Sequence, residues 1–268
     1  MTHAGDGVPR RFRATVEYDG TDFAGFQRQR SGTRTVQGEL EAALARLGNG
    51  TRAAVDGAGR TDAGVHAAGQ VIAFTWTGRL DGPALESALN GRLPPDVAVR
   101  DLRRTSSGFH PRHAARYREY RYTVWNGPRS PLRERQSLWV RDPLDVVAME
   151  RAGQAFIGRH DFRAFGGAVG DRSSVRTVQA VRVRRKGSLV TIDVRADAFL
   201  RGMARRMVAL LLEVGRGKLN DEDVREALAA RTAARNGAAA PARGLCLRRV
   251  AFGRRRGATG QTETNEER

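Results

Sequence analysis

Hydrophobic and polar positions along this chain follow two rhythms. Phe12, Ala14, Val16 and Tyr18 alternate with polar residues and run into Asp19-Gly20-Thr21, which predicts a strand closed by a turn. Val36, Leu40, Leu44 and Leu47 recur at helical spacing behind Thr35, a residue suited to an N-cap, and Gly48-Asn49-Gly50 marks the end of that helix. An extended stretch over 71–76, a helix opened by Pro83 and reaching Asn90, and another extended stretch over 97–102 complete a strand, helix, strand, helix, strand order. The alternation returns over 117–125, where Tyr120, Tyr122 and Val124 share one side and Tyr117, Arg121 and Trp125 the other. Then come a helix over 145–157 ended by Gly158, a hairpin pairing 178–184 with 189–195 across Lys186-Gly187, a long helix over 199–214, and a last strand over 245–252. Residues 254–268 are polar, charged and aperiodic, which predicts a disordered tail.

These elements predict an α+β protein with largely antiparallel sheets, one side left open and the other covered by helices. A length of 268 residues suits one large or two modest domains. No internal repeat is visible. The division is expected near residue 105, giving an N-terminal α+β subdomain over 1–105, a second over 106–253 and the tail over 254–268.

Charge narrows the partners. Lys and Arg number 47 against 29 Asp and Glu, a net charge of +18, and all the cations except Lys186 and Lys218 are arginines. A surplus of that size predicts an acidic partner. Nucleic acid is favoured over an anionic membrane, because no predicted helix is cationic on one face and aromatic on the other. The central apolar run Met207–Leu212 is far short of the ~20 residues of a membrane helix, and Met1–Arg13 lacks the apolar core of a signal peptide. The single cysteine, Cys246, excludes an internal disulfide and a cysteine-based zinc site. A cytoplasmic protein is expected.

The most unusual segment is Gly57-Ala58-Gly59-Arg60-Thr61-Asp62-Ala63-Gly64-Val65-His66-Ala67, whose small residues allow close approach of a ligand to the backbone. It lacks the Gly-Lys-Ser/Thr ending of a phosphate-binding loop and the GxGxxG spacing of a dinucleotide site. The plainer alternative is a tight turn with an Arg60–Asp62 surface ion pair worth about 0 to 1 kcal/mol. His66, His110, His113 and His160 with Asp62 and Asp161 show no metal-ligand spacing, so no metal site is expected, and no Gly-x-Ser-x-Gly elbow is present. In the helix over 199–214, Leu200, Met203, Met207, Leu211 and Val214 form an apolar stripe. Arg201 and Arg205 share another side with Val208 and Leu212, so Arg205 is expected to be partly enclosed and in want of a carboxylate. A solvated cationic face contacting phosphates is the alternative.

Several motifs, in order, resemble the tRNA pseudouridine synthase A family along nearly the whole chain. They are Tyr18-Asp19-Gly20-Thr21 with Gly25-Phe26-Gln27, Arg34-Thr35-Val36-Gln37-Gly38, and Gly59 to Ala67. Leu93-Pro94 with Asp96, Phe109-His110, Tyr120-Arg121-Tyr122, His160-Asp161-Phe162, Phe199-Leu200-Arg201 leading into Arg205, and Gly244-Leu245 complete the series. The chain departs from the usual pattern at Phe26, where tryptophan is common, at Pro111 and His113, where alanine and phenylalanine are, and at Cys246, which replaces a larger residue.

The resemblance implies isomerisation of uridine to pseudouridine at positions 38, 39 and 40 in the anticodon stem-loop of tRNA, with no cofactor. It also implies two α+β subdomains joined around a central RNA-binding cleft, and a homodimer. Asp62 is the implied nucleophile, with Arg205 as its ion-pair partner. Tyr120 is the implied base-packing residue, with a core-filling tyrosine as the alternative. Arg60 is a second candidate partner of Asp62, or a group that occupies the space a flipped base vacates. An extruded base costs a few kcal/mol of stacking, which an aromatic surface beside the nucleophile offsets. Two rivals predict different outcomes. A non-catalytic RNA-binding protein using the same cleft would tolerate Asp62→Asn, and a metal-dependent nuclease would be silenced by EDTA.

Overall fold

The computed structural model describes residues 7–29, 32–48, 50, 52–166, 173–230 and 238–253; the tail expected over 254–268 lies outside them. The strands are β1 (Arg10–Tyr18), β2 (Val55–Gly57), β3 (His66–Trp76), β4 (Val97–Arg104), β5 (Ala115–Trp125), β6 (Leu138–Trp139), β7 (Gly158–Asp161), β8 (Val175–Lys186), β9 (Leu189–Ala196) and β10 (Leu245–Phe252). The helices are α1 (Val36–Leu47), α2 (Gly82–Asn90), α3 (Pro111–Ala114), α4 (Val146–Gly153), α5 (Met203–Gly215) and α6 (Asp221–Ala229). The expected α+β class is what the chain adopts, and the expected boundary near residue 105 falls between β4 and α3.

All ten strands join one sheet in the order β4-β1-β3-β10-β5-β9-β8-β7, with β2 beside β3 and β6 beside β5. The last strand in sequence is thus central in space. β10 pairs parallel with β3, Cys246 opposite His66 and Leu247 opposite Ala67, and antiparallel with β5 along its length. β5 and β6 are also parallel, and the remaining pairs are antiparallel, as the alternating strands imply.

Alternation sets which face is covered. Phe12, Ala14, Val16 and Tyr18 of β1, Tyr120, Tyr122 and Val124 of β5, and Val190, Ile192 and Val194 of β9 are buried in one hydrophobic cluster with the apolar stripes of the helices. The other side of β5 and β9 is less buried and carries ionic rungs: Arg121 makes two hydrogen bonds to Asp193 at 2.7 and 2.9 Å, and Arg195 two to Glu119 at 2.8 and 2.6 Å. Such cross-strand pairs hold register on a solvated face. The expected Lys186-Gly187 turn joins β8 to β9, with Gly187 at a positive φ of 58°. Among the described residues no helix is long and apolar enough to cross a membrane.

Helices α4 and α5 differ in their bounds from expectation. The segment expected as helix over 199–214 is helical only from Met203, because Gly202 at φ 72° is left-handed and separates Phe199, Leu200 and Arg201 into a turn. α4 stops at Gly153 and continues as a 3-10 turn through Phe156 instead of reaching Ile157. Gly153 lies so close to Val181 that an added Cβ would stand 2.8 Å from a Val181 methyl. α6 was not expected, although a capping box between Asn220 and Asp223 starts it.

Candidate active site

The glycine-rich segment emerges from β2 and enters β3, and each of its turns is held by a neighbour. Ala58 donates to the carbonyl of Val71 at 2.8 Å, continuing the ladder of β2. The carbonyl of Gly59 accepts from Nε2 of Gln70 at 2.7 Å, a side chain with no solvent exposure. Thr61 shares a 2.8 Å hydroxyl hydrogen bond with the buried Tyr18, and its carbonyl accepts from the amide of Phe26 at 3.1 Å. The amide of Val65 closes a turn onto the carbonyl of Asp62 at 3.2 Å.

Gly25 passes directly against this turn, at φ 105°; a Cβ there would stand 2.8 Å from the carbonyl oxygen of Thr61 and 3.3 Å from the amide of Ala63. Phe26 lies over Gly57, whose added Cβ would be 2.4 Å from the ring. The paired motifs Gly25-Phe26-Gln27 and Arg34-Thr35-Val36-Gln37-Gly38 therefore form the wall that shapes the loop. Gln27 donates to Gln37, which bonds to Glu41 and to the carbonyl of Val55. Arg34 forks onto Asp96 with two bonds of 2.8 Å while its guanidinium lies 4.1 Å from the Phe23 ring centre.

Asp62, at the tip, is 29% exposed and faces two cations, one on the turn before α5 and one in its first turn. Nη1 of Arg205 lies 3.6 Å from its Oδ2, and Nε of Arg201 lies 3.9 Å from its Oδ1. Arg205 is largely enclosed at 22% exposure, as its neighbours on the helix predicted, and its Nε donates to the carbonyl of Ala240 at 2.6 Å. Arg201, at 88% exposure, projects into solvent. Arg60 is exposed and makes no ion pair with Asp62 in the structure.

Tyr120 stands on the buried side of β5, its ring edge-on to Phe199 at 4.9 Å, and a methyl group on Gly59 would come within 3.9 Å of its hydroxyl. It fills the core and also borders the loop. Burial pushes its phenol well above the usual tyrosine range, the nearby Asp62 charge adds to this and Arg118 opposes it. The phenol is therefore protonated at any working pH.

The histidines have other tasks. His66 accepts from the amide of Gly20 at 3.0 Å through Nδ1, leaving Nε2 to donate to the carbonyls of Arg135 at 2.9 Å and Arg243 at 3.1 Å. The rings of His110 and His113 meet at a tilt with centres 4.4 Å apart, and His160 bonds to the carbonyl of Ile157 at 3.0 Å. Among the described residues no group of three His, Cys, Asp or Glu side chains is placed to hold a metal. Arg201 stands in the Phe199-Leu200-Arg201 motif without a role of its own in the sequence reading; the helix-breaking Gly202 beside it is the signal that it sits on a turn at the site. Gln70 carried no signal, since alternation alone does not reveal a buried amide.

A family model described as tRNA pseudouridine synthase matches residues 14–112 and 152–253 of this chain. Proteins named tRNA pseudouridine synthase A are similar along almost their full length. The one from Geobacter sulfurreducens is 42% identical over 245 residues, covering 91% of this chain and 100% of its own. The one from Moorella thermoacetica is 44% identical over 243 residues, covering 90% and 98%, and that from Brevibacillus brevis is 42% identical over 247 residues, covering 91% and 100%.

Proposed function

Since the chain belongs to the tRNA pseudouridine synthase family, we propose that it isomerises uridine to pseudouridine in tRNA, at positions 38, 39 and 40 of the anticodon stem-loop. The reaction breaks the N1–C1′ bond, forms a C5–C1′ bond to the same ribose, and moves the proton from C5 to solvent while N1 gains one. Net composition is unchanged, so no oxidant, reductant or nucleotide is consumed.

The observation that carries this reading is the Asp62 carboxylate, held on a turn between Arg205 and the Tyr120 side chain of the central strand β5. Asp62 is the group that assists detachment of uracil and holds the sugar while the base turns. Arg205 fixes the direction of the carboxylate in a partly enclosed site, where positioning is worth several kcal/mol of barrier, on the order of the effects known for oriented groups. Tyr120 packs the extruded base, and Arg60, exposed beside Asp62, enters the space the base leaves. The surplus of arginine holds the tRNA by its phosphates, which orients it without reading sequence. We place the protein in the cytoplasm as a homodimer whose two α+β subdomains, 1–105 and 106–253, flank the RNA cleft.

The experiment uses unmodified tRNA tritiated at uridine C5, in EDTA and without nucleotide. Tritium release with the RNA intact is expected, and Asp62→Asn should abolish it. Release by Asp62→Asn at the wild-type rate overturns the assignment of the carboxylate. Binding without any release by the wild-type protein leaves an RNA-binding protein, and shortened RNA leaves a nuclease. With ~6 to 10 phosphate contacts, affinity should fall about 10³- to 10⁵-fold between about 50 and 200 mM salt.

A further inference from the structure

Arg118, two residues before Tyr120 on β5, is a charge with almost no water, 8% exposed. Among the described residues no carboxylate forms an ion pair with it. Its guanidinium donates instead to three backbone carbonyls: Nε and Nη2 to Ala58 at 3.2 and 2.7 Å, Nη1 to Asp197 at 2.7 Å, and Nη2 to Arg112 at 2.8 Å. A buried cation with no carboxylate in hydrogen-bonding contact is costly, and burial pulls this guanidinium below the ordinary arginine range although the nearby Asp197 charge opposes the shift. The geometry explains what the cost achieves. Only a planar fork with several donors in fixed directions can tie three separate chain segments at one point.

Those segments carry the site. Ala58 is four residues before Asp62, and the next carbonyl, Gly59, is already pinned by Gln70. Asp197 opens the turn that delivers Phe199 against Tyr120 and Arg201 and Arg205 against Asp62. The carbonyl of Asp197 is itself oriented, because its carboxylate accepts from the amides of Thr177 at 3.0 Å and Ala198 at 2.6 Å. The Asp62 loop comes from the first half of the chain and α5 from the second, and these bonds cross that divide.

Resting on the isomerase reading above, we infer that Arg118 is a positioning residue that sets the distance between the Asp62 loop and the Arg201–Arg205 segment. It touches neither substrate nor Asp62. Its loss is felt in the chemical step and not in the grip on tRNA.

The test compares wild type, Arg118→Met and Arg118→Lys in the full-length protein. It measures single-turnover tritium release at saturating enzyme, tRNA binding by filter retention, and the folded fraction by circular dichroism at the assay temperature. A displaced carboxylate predicts that Arg118→Met slows release about 100-fold per folded molecule while Kd for tRNA stays within about threefold, and that Arg118→Lys, which keeps the charge but loses the planar fork, recovers little of the rate. A rate for folded Arg118→Met within about threefold of wild type overturns the inference, as does a loss of tRNA affinity that accounts for the whole defect. Should Arg118→Met not fold, Arg118→Lys carries the decision: a slowed release with unchanged Kd supports the brace, and a wild-type rate rejects it. Wild-type protein that releases no tritium refutes the isomerase reading itself, whereas normal wild-type release with normal variants refutes only the role of Arg118.

Discussion

Arg205 and Asp62 approach to 3.6 Å without forming a hydrogen bond, while the same guanidinium is tied through Nε to the carbonyl of Ala240 at 2.6 Å. The separation is beyond the usual N–H···O range of about 2.7 to 3.2 Å. The carboxylate is attracted and aimed, yet its lone pairs are not occupied by a bidentate fork. Ala240 returns the tie, its amide donating to the carbonyl of Arg205 at 3.1 Å. The cation is thus fixed from behind and free in front.

Arg205→Lys keeps the charge but loses the planar head that serves both Ala240 and Asp62. A lysine ammonium is a point charge with one location, so it holds either the carbonyl or the carboxylate. The substitution is expected to lower kcat about 10- to 100-fold with KM for tRNA changed by no more than about threefold. Steady-state kinetics on tRNA checks this. A wild-type kcat would show that the fixed direction of the guanidinium is irrelevant.

Arg201 is expected to behave in the opposite way. Its contact with Asp62 is longer, at 3.9 Å, and its side chain is 88% exposed, so water and salt screen the pair and its worth is slight. A nucleotide that delivers its sugar to Asp62 brings phosphates on both sides, and Arg201 is an exposed cation at that mouth. Arg201→Gln should leave kcat within about twofold, and the slope of log affinity against log salt should fall by about one. Salt titrations of tRNA binding by the two proteins measure the difference, and an unchanged slope would rule out a phosphate contact.

How much of this was legible depended on the range of the cause. The strands with clear alternation and the stripe of α1 follow from local periodicity, and β1, β5, β9 and α1 stand where it placed them. Asp62, Tyr120 and Arg205 were marked by motif, and the structure brings the three together. β2, β6 and β7, of three, two and four residues, are too short for a period to show. The central place of β10 is a consequence of pairing between distant segments, which no local pattern encodes. Arg118 reads in sequence as one arginine among forty-five, since nothing in its neighbours says that three carbonyls converge on it.

Gly25 tests the loop's wall. At φ 105° any side chain is strained, and a Cβ would press on the carbonyl oxygen of Thr61 at 2.8 Å. That atom is backbone, already engaged by the amide of Phe26, so relief requires the Asp62 turn to move. Gly25→Ala is expected to destabilise the fold by about 1 to 3 kcal/mol and to slow tritium release more than tRNA binding. Urea denaturation with parallel activity measurements decides it; unchanged stability and rate would mean the wall yields freely.

Alkaline pH should unfold this protein through its tyrosines. Tyr18, Tyr120 and Tyr122 are all core residues whose phenols burial raises above the ordinary range; hydrogen bonding from Thr61 opposes this at Tyr18, Arg118 opposes it at Tyr120, and Arg205 opposes it at Tyr122. A group that holds its proton more tightly when folded contributes stability that is complete below the unfolded pKa and is lost as pH rises toward the folded one. The unfolded phenols ionise near pH ~10, so the urea midpoint should be insensitive to these groups below about pH 9 and fall steeply above pH ~10. Three such groups give a limiting slope of about 4 kcal/mol per pH unit. Tyr122→Phe, which gives up the 2.8 Å bond to the carbonyl of Pro241, should lower stability at neutral pH and reduce the alkaline slope by about a third. Urea titrations at pH ~8, ~10 and ~11 distinguish the two effects, and an alkaline slope that Tyr122→Phe leaves unchanged would show that this phenol does not govern the transition.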